Sequence, residues 1–145
     1  MNYEERDTYG IYKNKVSGEL NNPQGPGPQL MGADTLSGND VFNKNGDDLG
    51  DIKEIMLDMR SGRVCYAVLA FGGFLGMGEK LFAVPWSALT LDTENKRFVL
   101  DVAKDRLDQA PGFDKDNWPD MADAAWAKKI DAYYGTSAAL SEPYV

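Results

Sequence analysis

Histidine is absent from the 145 residues, and cysteine occurs once, as Cys65. Without histidine, neither a Ser–His nor a Cys–His pair can be assembled within the chain. A lone cysteine excludes an intrachain disulfide, so nothing here asks for an oxidising compartment. Long apolar runs are missing too. No stretch approaches the roughly 18 consecutive apolar residues of a membrane-spanning helix, and the opening Met1-Asn2-Tyr3-Glu4-Glu5-Arg6-Asp7 is charged, unlike a secretory signal. Basic residues are few: 15 Lys and Arg against 23 Asp and Glu, a net charge of -8. No basic run exceeds Lys128-Lys129, so the surface repels phosphate backbones and anionic lipid, and neither nucleic acid nor membrane insertion is expected. The expectation is a cytoplasmic protein with no cofactor.

What is present fills one ordinary domain. Hydrophobic residues make up 43%, slightly under the globular average, so part of the chain is expected to contribute no core. That part is residues 1–30. Asn21-Asn22-Pro23-Gln24-Gly25-Pro26-Gly27-Pro28 packs three prolines and two glycines into eight residues, the composition of a linker. Ahead of it, Tyr3, Tyr9, Ile11 and Tyr12 are too few to offset the entropy of ordering the segment, which predicts a flexible arm.

From Asp40 the pattern changes to short β-type runs. Asp40-Val41-Phe42 leads into Asn43-Lys44-Asn45-Gly46, where Asn-Gly suits a tight turn. In the strand from Leu49 to Met59 the apolar parity slips, with Ile52 on one face and Ile55 and Leu57 on the other. A bulge near Lys53-Glu54 would reconcile them. Val64 to Phe71 has no polar side except the tyrosine hydroxyl and reads as a central strand covered on both faces. Lys80 to Val84 is a strand ended by Pro85. Leu89-Thr90-Leu91 and Phe98 to Val102 form a last hairpin, with Phe98, Leu100 and Val102 on one face.

Five or six short strands at this spacing predict an all-β barrel or sandwich over residues 31–104. Residues 105–145 then form a loop and a C-terminal helix from Pro119 to Tyr134. There Ala122, Trp126, Ile130 and Tyr133 make one apolar stripe, and Gly135 supplies the stop.

Several segments resemble one family: Leu49-Gly50-Asp51-Ile52-Lys53-Glu54-Ile55-Met56-Leu57-Asp58, Gly62-Arg63-Val64-Cys65-Tyr66-Ala67-Val68, and Phe71-Gly72-Gly73-Phe74-Leu75-Gly76-Met77-Gly78-Glu79-Lys80 followed by Ala83-Val84-Pro85-Trp86. They are similar to the PRC-barrel family, which includes the barrel of the photosynthetic reaction-centre H subunit and the C-terminal domain of the ribosome maturation factor. The stretch Asp105 to Asp114, continuing through Trp118-Pro119, looks like the stand-alone bacterial branch. The resemblance covers about residues 30 to 120 and implies a small antiparallel β-barrel that binds protein rather than performing a reaction. Lacking a membrane helix and a companion domain, the chain is expected to be neither a full H subunit nor a complete maturation factor.

Motifs for other chemistry are incomplete. Gly73-x4-Gly78 has the spacing of a phosphate loop, but Glu79 stands where lysine is required, and a strand follows rather than a helix. Placing Gly46 at the sixth position of a calcium loop puts Asn43 and Asn45 on ligand positions. It also puts Val41 and Ile52 where carboxylates are needed. Cys65 lies in an apolar run where burial blunts a thiol.

The expected function is therefore a non-catalytic protein-binding adaptor. Its candidate interaction residues are Phe74, Leu75 and Met77 in the glycine-rich loop, together with Trp86. A homodimer is expected, because a small barrel gains stability by joining. The alternative, suggested by the resemblance, is an accessory component of a membrane electron- or proton-transfer complex. It would associate peripherally, with acids such as Asp47, Asp48 and Asp51 relaying protons.

Overall fold

The computed structural model describes residues 1–10, 30–72 and 79–136. A short helix α1 (Ala33–Leu36) leads into strands β1 (Asp40–Phe42), β2 (Asp48–Leu57), β3 (Val64–Gly72) and β4 (Glu79–Pro85). A 3-10 turn (Trp86–Ala88) precedes β5 (Leu89–Asp92) and β6 (Arg97–Leu100). Helices α2 (Lys104–Asp108) and α3 (Ala124–Tyr134) follow. Among the described residues the six strands form one curled sheet, a half-barrel, in the order β4-β3-β2-β1-β6-β5.

The sheet is mixed, which corrects the expectation of an antiparallel barrel. β1 runs parallel to β6, with Val41 opposite Phe98 and Phe42 opposite Val99, while the other neighbours pair antiparallel. The cause is the link between β4 and β5. Counting senses along the ladder, β4 and β5 run the same way, so Trp86–Ala88 carries the chain round a corner instead of reversing it. A hairpin at that point would have turned β6 antiparallel to β1. Corners of this kind are how a strand bends from one part of a curled sheet to another.

The parity slip in β2 has the expected cause. Ile52 faces Leu69 and Glu54 faces Val68, so Lys53 is an extra residue bulged out of the ladder. The bulge brings Ile52 and Ile55 to the same core, where Ile52 is fully buried and Ile55 packs at the margin. That core holds Val41, Leu49, Ala67, Leu69, Phe82, Val84, Phe98 and Leu100, and is closed by Leu107 of α2 and Ala110.

β3 is covered on both sides, as its unbroken apolar run predicts. Ala67 and Leu69 point into the core, while Tyr66, Val68 and Ala70 point the opposite way with Leu81 and Ala83 of β4. The C-terminal segment lies on this second face. Ile130, Trp126, Met121 and Phe113 pack there, with the Trp126 ring edge-on to Tyr66 at 5.3 Å between centroids. α3 starts at Ala124, later than the predicted Pro119. The Asp120 and Asp123 carboxylates accept from the backbone N–H two residues on, at 3.0 Å each, and such turns compete with helix until Asp123 becomes the cap. Ala122 therefore precedes the helix, and Gly135 ends it in the left-handed conformation.

Residues 1–10 make contacts that a free arm would not. Tyr3 is buried and its N–H donates to the Lys96 carbonyl at 2.9 Å, Asp40 N–H donates to the Met1 carbonyl at 3.1 Å, and Lys96 pairs with Glu4. One buried tyrosine with two sheet hydrogen bonds orders a segment that composition alone marks as unable to order itself. The Asn21–Pro28 stretch lies outside the described residues.

Candidate interaction surface

The long β2–β3 pair runs past both of its neighbours. β1 pairs with β2 only from Asp48 to Asp51, and β4 reaches β3 only as far as Tyr66. The Leu57–Val64 end therefore projects from the sheet. Its turn is tightly organised: Asp58 N–H donates to Arg63 O at 2.8 Å and Gly62 N–H to Asp58 O at 2.7 Å. The Asp58 carboxylate accepts from the Ser61 hydroxyl at 2.8 Å and from Arg60 N–H at 3.3 Å. Burial pushes this carboxyl up, but the Ser61 and Arg60 hydrogen bonds and the Arg60 charge outweigh it and hold it below its ordinary value. Four side chains ride on this rib: Leu57 at 48% and Met59 at 85% exposure, with Arg60 and Arg63 exposed beside them. Arg60 is paired with the Asp58 carboxylate at 3.5 Å within the same turn.

The two edges of the sheet differ. β4 is covered at Leu81, which exchanges two backbone hydrogen bonds of 2.9 Å with Phe113. The approach needs Gly112, because a Cβ there would lie 2.7 Å from Lys80 Cε and 2.9 Å from the Leu81 carbonyl oxygen. β5, at the other edge, is paired on the β6 side alone among the described residues.

Of the sequence candidates, Phe74, Leu75 and Met77 lie outside the described residues. Trp86 is partly buried against the core, its ring 5.7 Å from that of Phe98. It anchors the β4–β5 corner. Gly72 and Glu79, which flank the glycine-rich segment, pair at one end of β3–β4, and Tyr66 and Pro85 pair at the other. Six residue steps of about 3.3 Å separate the ends, so Trp86 sits some 20 Å from the base of the loop with which it was grouped.

The projecting rib was missed because Ser61-Gly62 reads only as a turn. Met59 between Asp58 and Arg60 was the available signal, an apolar residue where turn chemistry asks for a polar one.

Two clefts border α2. One of about 440 Å³ is lined by Ser87, Asp101, Arg106, Tyr133, Tyr134 and Thr136, among others. Arg106 stacks on the Tyr133 ring at 4.3 Å and donates to the Tyr133 carbonyl at 2.7 Å, while the Tyr133 hydroxyl donates to the Arg106 carbonyl. This reciprocal clasp ties α2 to α3. The neighbouring Tyr134 hydroxyl is pushed well above its ordinary value by burial, aided by Tyr133 and opposed by Arg106, so it stays protonated. The second cleft, about 460 Å³, is lined by Asp47, Phe71, Ala103, Lys104, Asp105 and Asp108.

Among the described residues no group of three or more acidic or cysteine side chains is placed to hold a metal, and no helix is long and apolar enough to cross a membrane. Asn43, placed on the calcium alignment, instead spends its side-chain oxygen on Asn45 and Asp47 N–H at 3.0 and 2.9 Å. Its amide donates to Asp47 and to the Val102 carbonyl. The Asp48 carboxylate accepts from Gly50 N–H at 2.8 Å.

Among the described residues, a half-barrel with one covered edge, one edge paired on a single side and a projecting apolar rib defines a small β-domain. The family model of the PRC-barrel domain matches residues 28–107, more than half of the chain, and the chain belongs to that family. None of the curated proteins matches it.

Proposed function

We propose that this chain is a non-catalytic, protein-binding adaptor domain that acts in the cytoplasm as a homodimer. The observation that carries the binding reading is the projecting Leu57–Val64 rib. The tip of that strand pair, from Leu57 to Val64, adds no residue to the buried core, yet it holds Leu57 and Met59 in water on a turn stiffened by Asp58 and Ser61. A rigid display of apolar groups flanked by arginine suits the centre of a protein contact, because little conformational entropy is lost when it docks.

The test compares proteins retained from a cell extract by the immobilised wild type and by Leu57→Asp/Met59→Asp. Both side chains are exposed, so the variant should fold, and circular dichroism checks this. The expected result is a defined set of proteins retained by the wild type and lost with the variant. An identical set from both would overturn the assignment of the rib as the contact.

A further inference from the structure

We propose that the homodimer forms by antiparallel pairing of the β5 edge with β5 of a second copy, about a two-fold axis at Thr90; this rests on the homodimer reading above and specifies its interface. In an antiparallel pair, alternate residues turn their N–H and C=O groups away from the partner strand. Among the described residues β5 therefore offers such groups on the side opposite β6. Sheets usually protect such an edge with lysine, proline, a bulge or a covering segment. The β4 edge has its cover in Gly112–Phe113. Leu89-Thr90-Leu91-Asp92 contains neither lysine nor proline, and its ladder to β6 runs from Leu89–Leu100 to Asp92–Arg97 without a register shift.

The strand is also complementary to itself. A two-fold axis perpendicular to the sheet places Thr90 opposite Thr90 of the second copy, Leu89 opposite Leu91, and Asp92 opposite Ala88. Leu89 and Leu91 both pack on the core side and are only partly buried, whereas Thr90 faces outward and is exposed. Each leucine would thus gain an apolar cross-strand neighbour, and no two like charges would stand opposite each other. Asp92, whose carboxylate already accepts from Asn95 and Glu94 in its own turn, lies at the margin. A four-residue strand makes a small interface, so the association is weak and concentration-dependent.

Two variants test the pairing. Thr90→Cys in a Cys65→Ser background places two thiols on opposed residues, whose Cα atoms in either type of antiparallel pair are about 4.5–5.5 Å apart, within disulfide reach. Mild oxidation should give a covalent dimer of twice the 16.0 kDa chain mass. Thr90→Lys sets like charges face to face at an exposed position and should weaken the dimer several-fold in sedimentation equilibrium at tens of micromolar, with an unchanged circular dichroism spectrum.

Both results together support the interface. A stable dimer that Thr90→Lys does not weaken, or that Thr90→Cys does not cross-link, overturns the β5 pairing while the homodimer stands. A wild type that remains monomeric throughout that range overturns both.

Discussion

Ile130→Ala distinguishes a C-terminal helix that is an appendage from one that is part of the core. Ile130 is 1% exposed and lies on the sheet face formed by Tyr66 and Ala83, next to Trp126. Truncating a buried isoleucine to alanine costs about 2–5 kcal/mol through lost transfer energy and the cavity left behind. If the helix merely rested on an independent barrel, that cost would melt the helix and leave the barrel untouched. The packing points elsewhere, because Ile130 and Trp126 of the helix lie on Tyr66 and Ala83, while Phe113 and Met121 of the same C-terminal segment lie on Val68, Ala70 and Leu81.

Loss of that whole segment would uncover Tyr66, Val68 and Leu81, at about 1.5–3 kcal/mol each, or about 5–9 kcal/mol in all. That is comparable to the whole stability of a small domain, about 5–15 kcal/mol. Helix and sheet should therefore unfold together. In urea, with a slope of about 1–3 kcal/mol per molar, the midpoint of Ile130→Ala should fall on the order of 1–3 M. Far-UV circular dichroism and tryptophan fluorescence should give coincident curves. A truncation after Ala110 should leave no cooperative transition. Separate transitions in Ile130→Ala, or a truncated chain that still melts cooperatively near the wild-type midpoint, would refute the reasoning.

Gly50→Ala should be among the most damaging small substitutions in the sheet. Gly50 has φ +100°, and a Cβ there would lie 2.0 Å from the Ala70 carbonyl oxygen, so β2 and β3 must part. Backbone strain of about 1–3 kcal/mol plus broken ladder bonds should lower Tm by about 10 °C, and an unchanged Tm would contradict the close approach. Asp92 supplies a pH test. Its carboxyl is held below the ordinary value by the Asn95 side-chain and backbone donors against the opposing effect of burial, with Glu94 N–H and the Arg97 charge adding to them. Its stabilising effect is therefore complete above the unfolded carboxylate value near pH 4 and is lost as pH falls through the lower folded value. Asp92→Asn should melt below the wild type at pH 7, and the two melting curves should converge in acid. A gap that persists in acid would show that the turn is held by something other than the carboxylate charge.

Much of the fold was legible because its signals are local. The slipped parity between Ile52 and Ile55 announced the bulge at Lys53, since side chains alternate along a strand and a single extra residue is the simplest repair. Pro85 marked the end of β4, and the Trp126–Ile130 spacing marked the buried side of α3. The candidate site was not legible in the same way. Trp86 looked like a surface anchor because an aromatic after a proline gives no hint of what lies behind it, and what lies behind it is Phe98, twelve residues on. The rib carrying Met59 became a feature only because β1 and β4 stop short of it.

By itself the sequence determined the strands, their turns, the two-sided burial of β3 and the stop at Gly135, all consequences of backbone sterics and side-chain periodicity within a few residues. Only the tertiary structure decided which strands are neighbours. The ladder hydrogen bonds are made by backbone groups that every residue other than proline carries in full, so they do not name their partners. Whether Trp86–Ala88 reverses the chain or turns a corner sets the β1–β6 pair parallel, leaves β5 as an edge and brings Tyr3 against Lys96. Each of those outcomes depends on contacts between segments far apart in the chain, where no local period can register them.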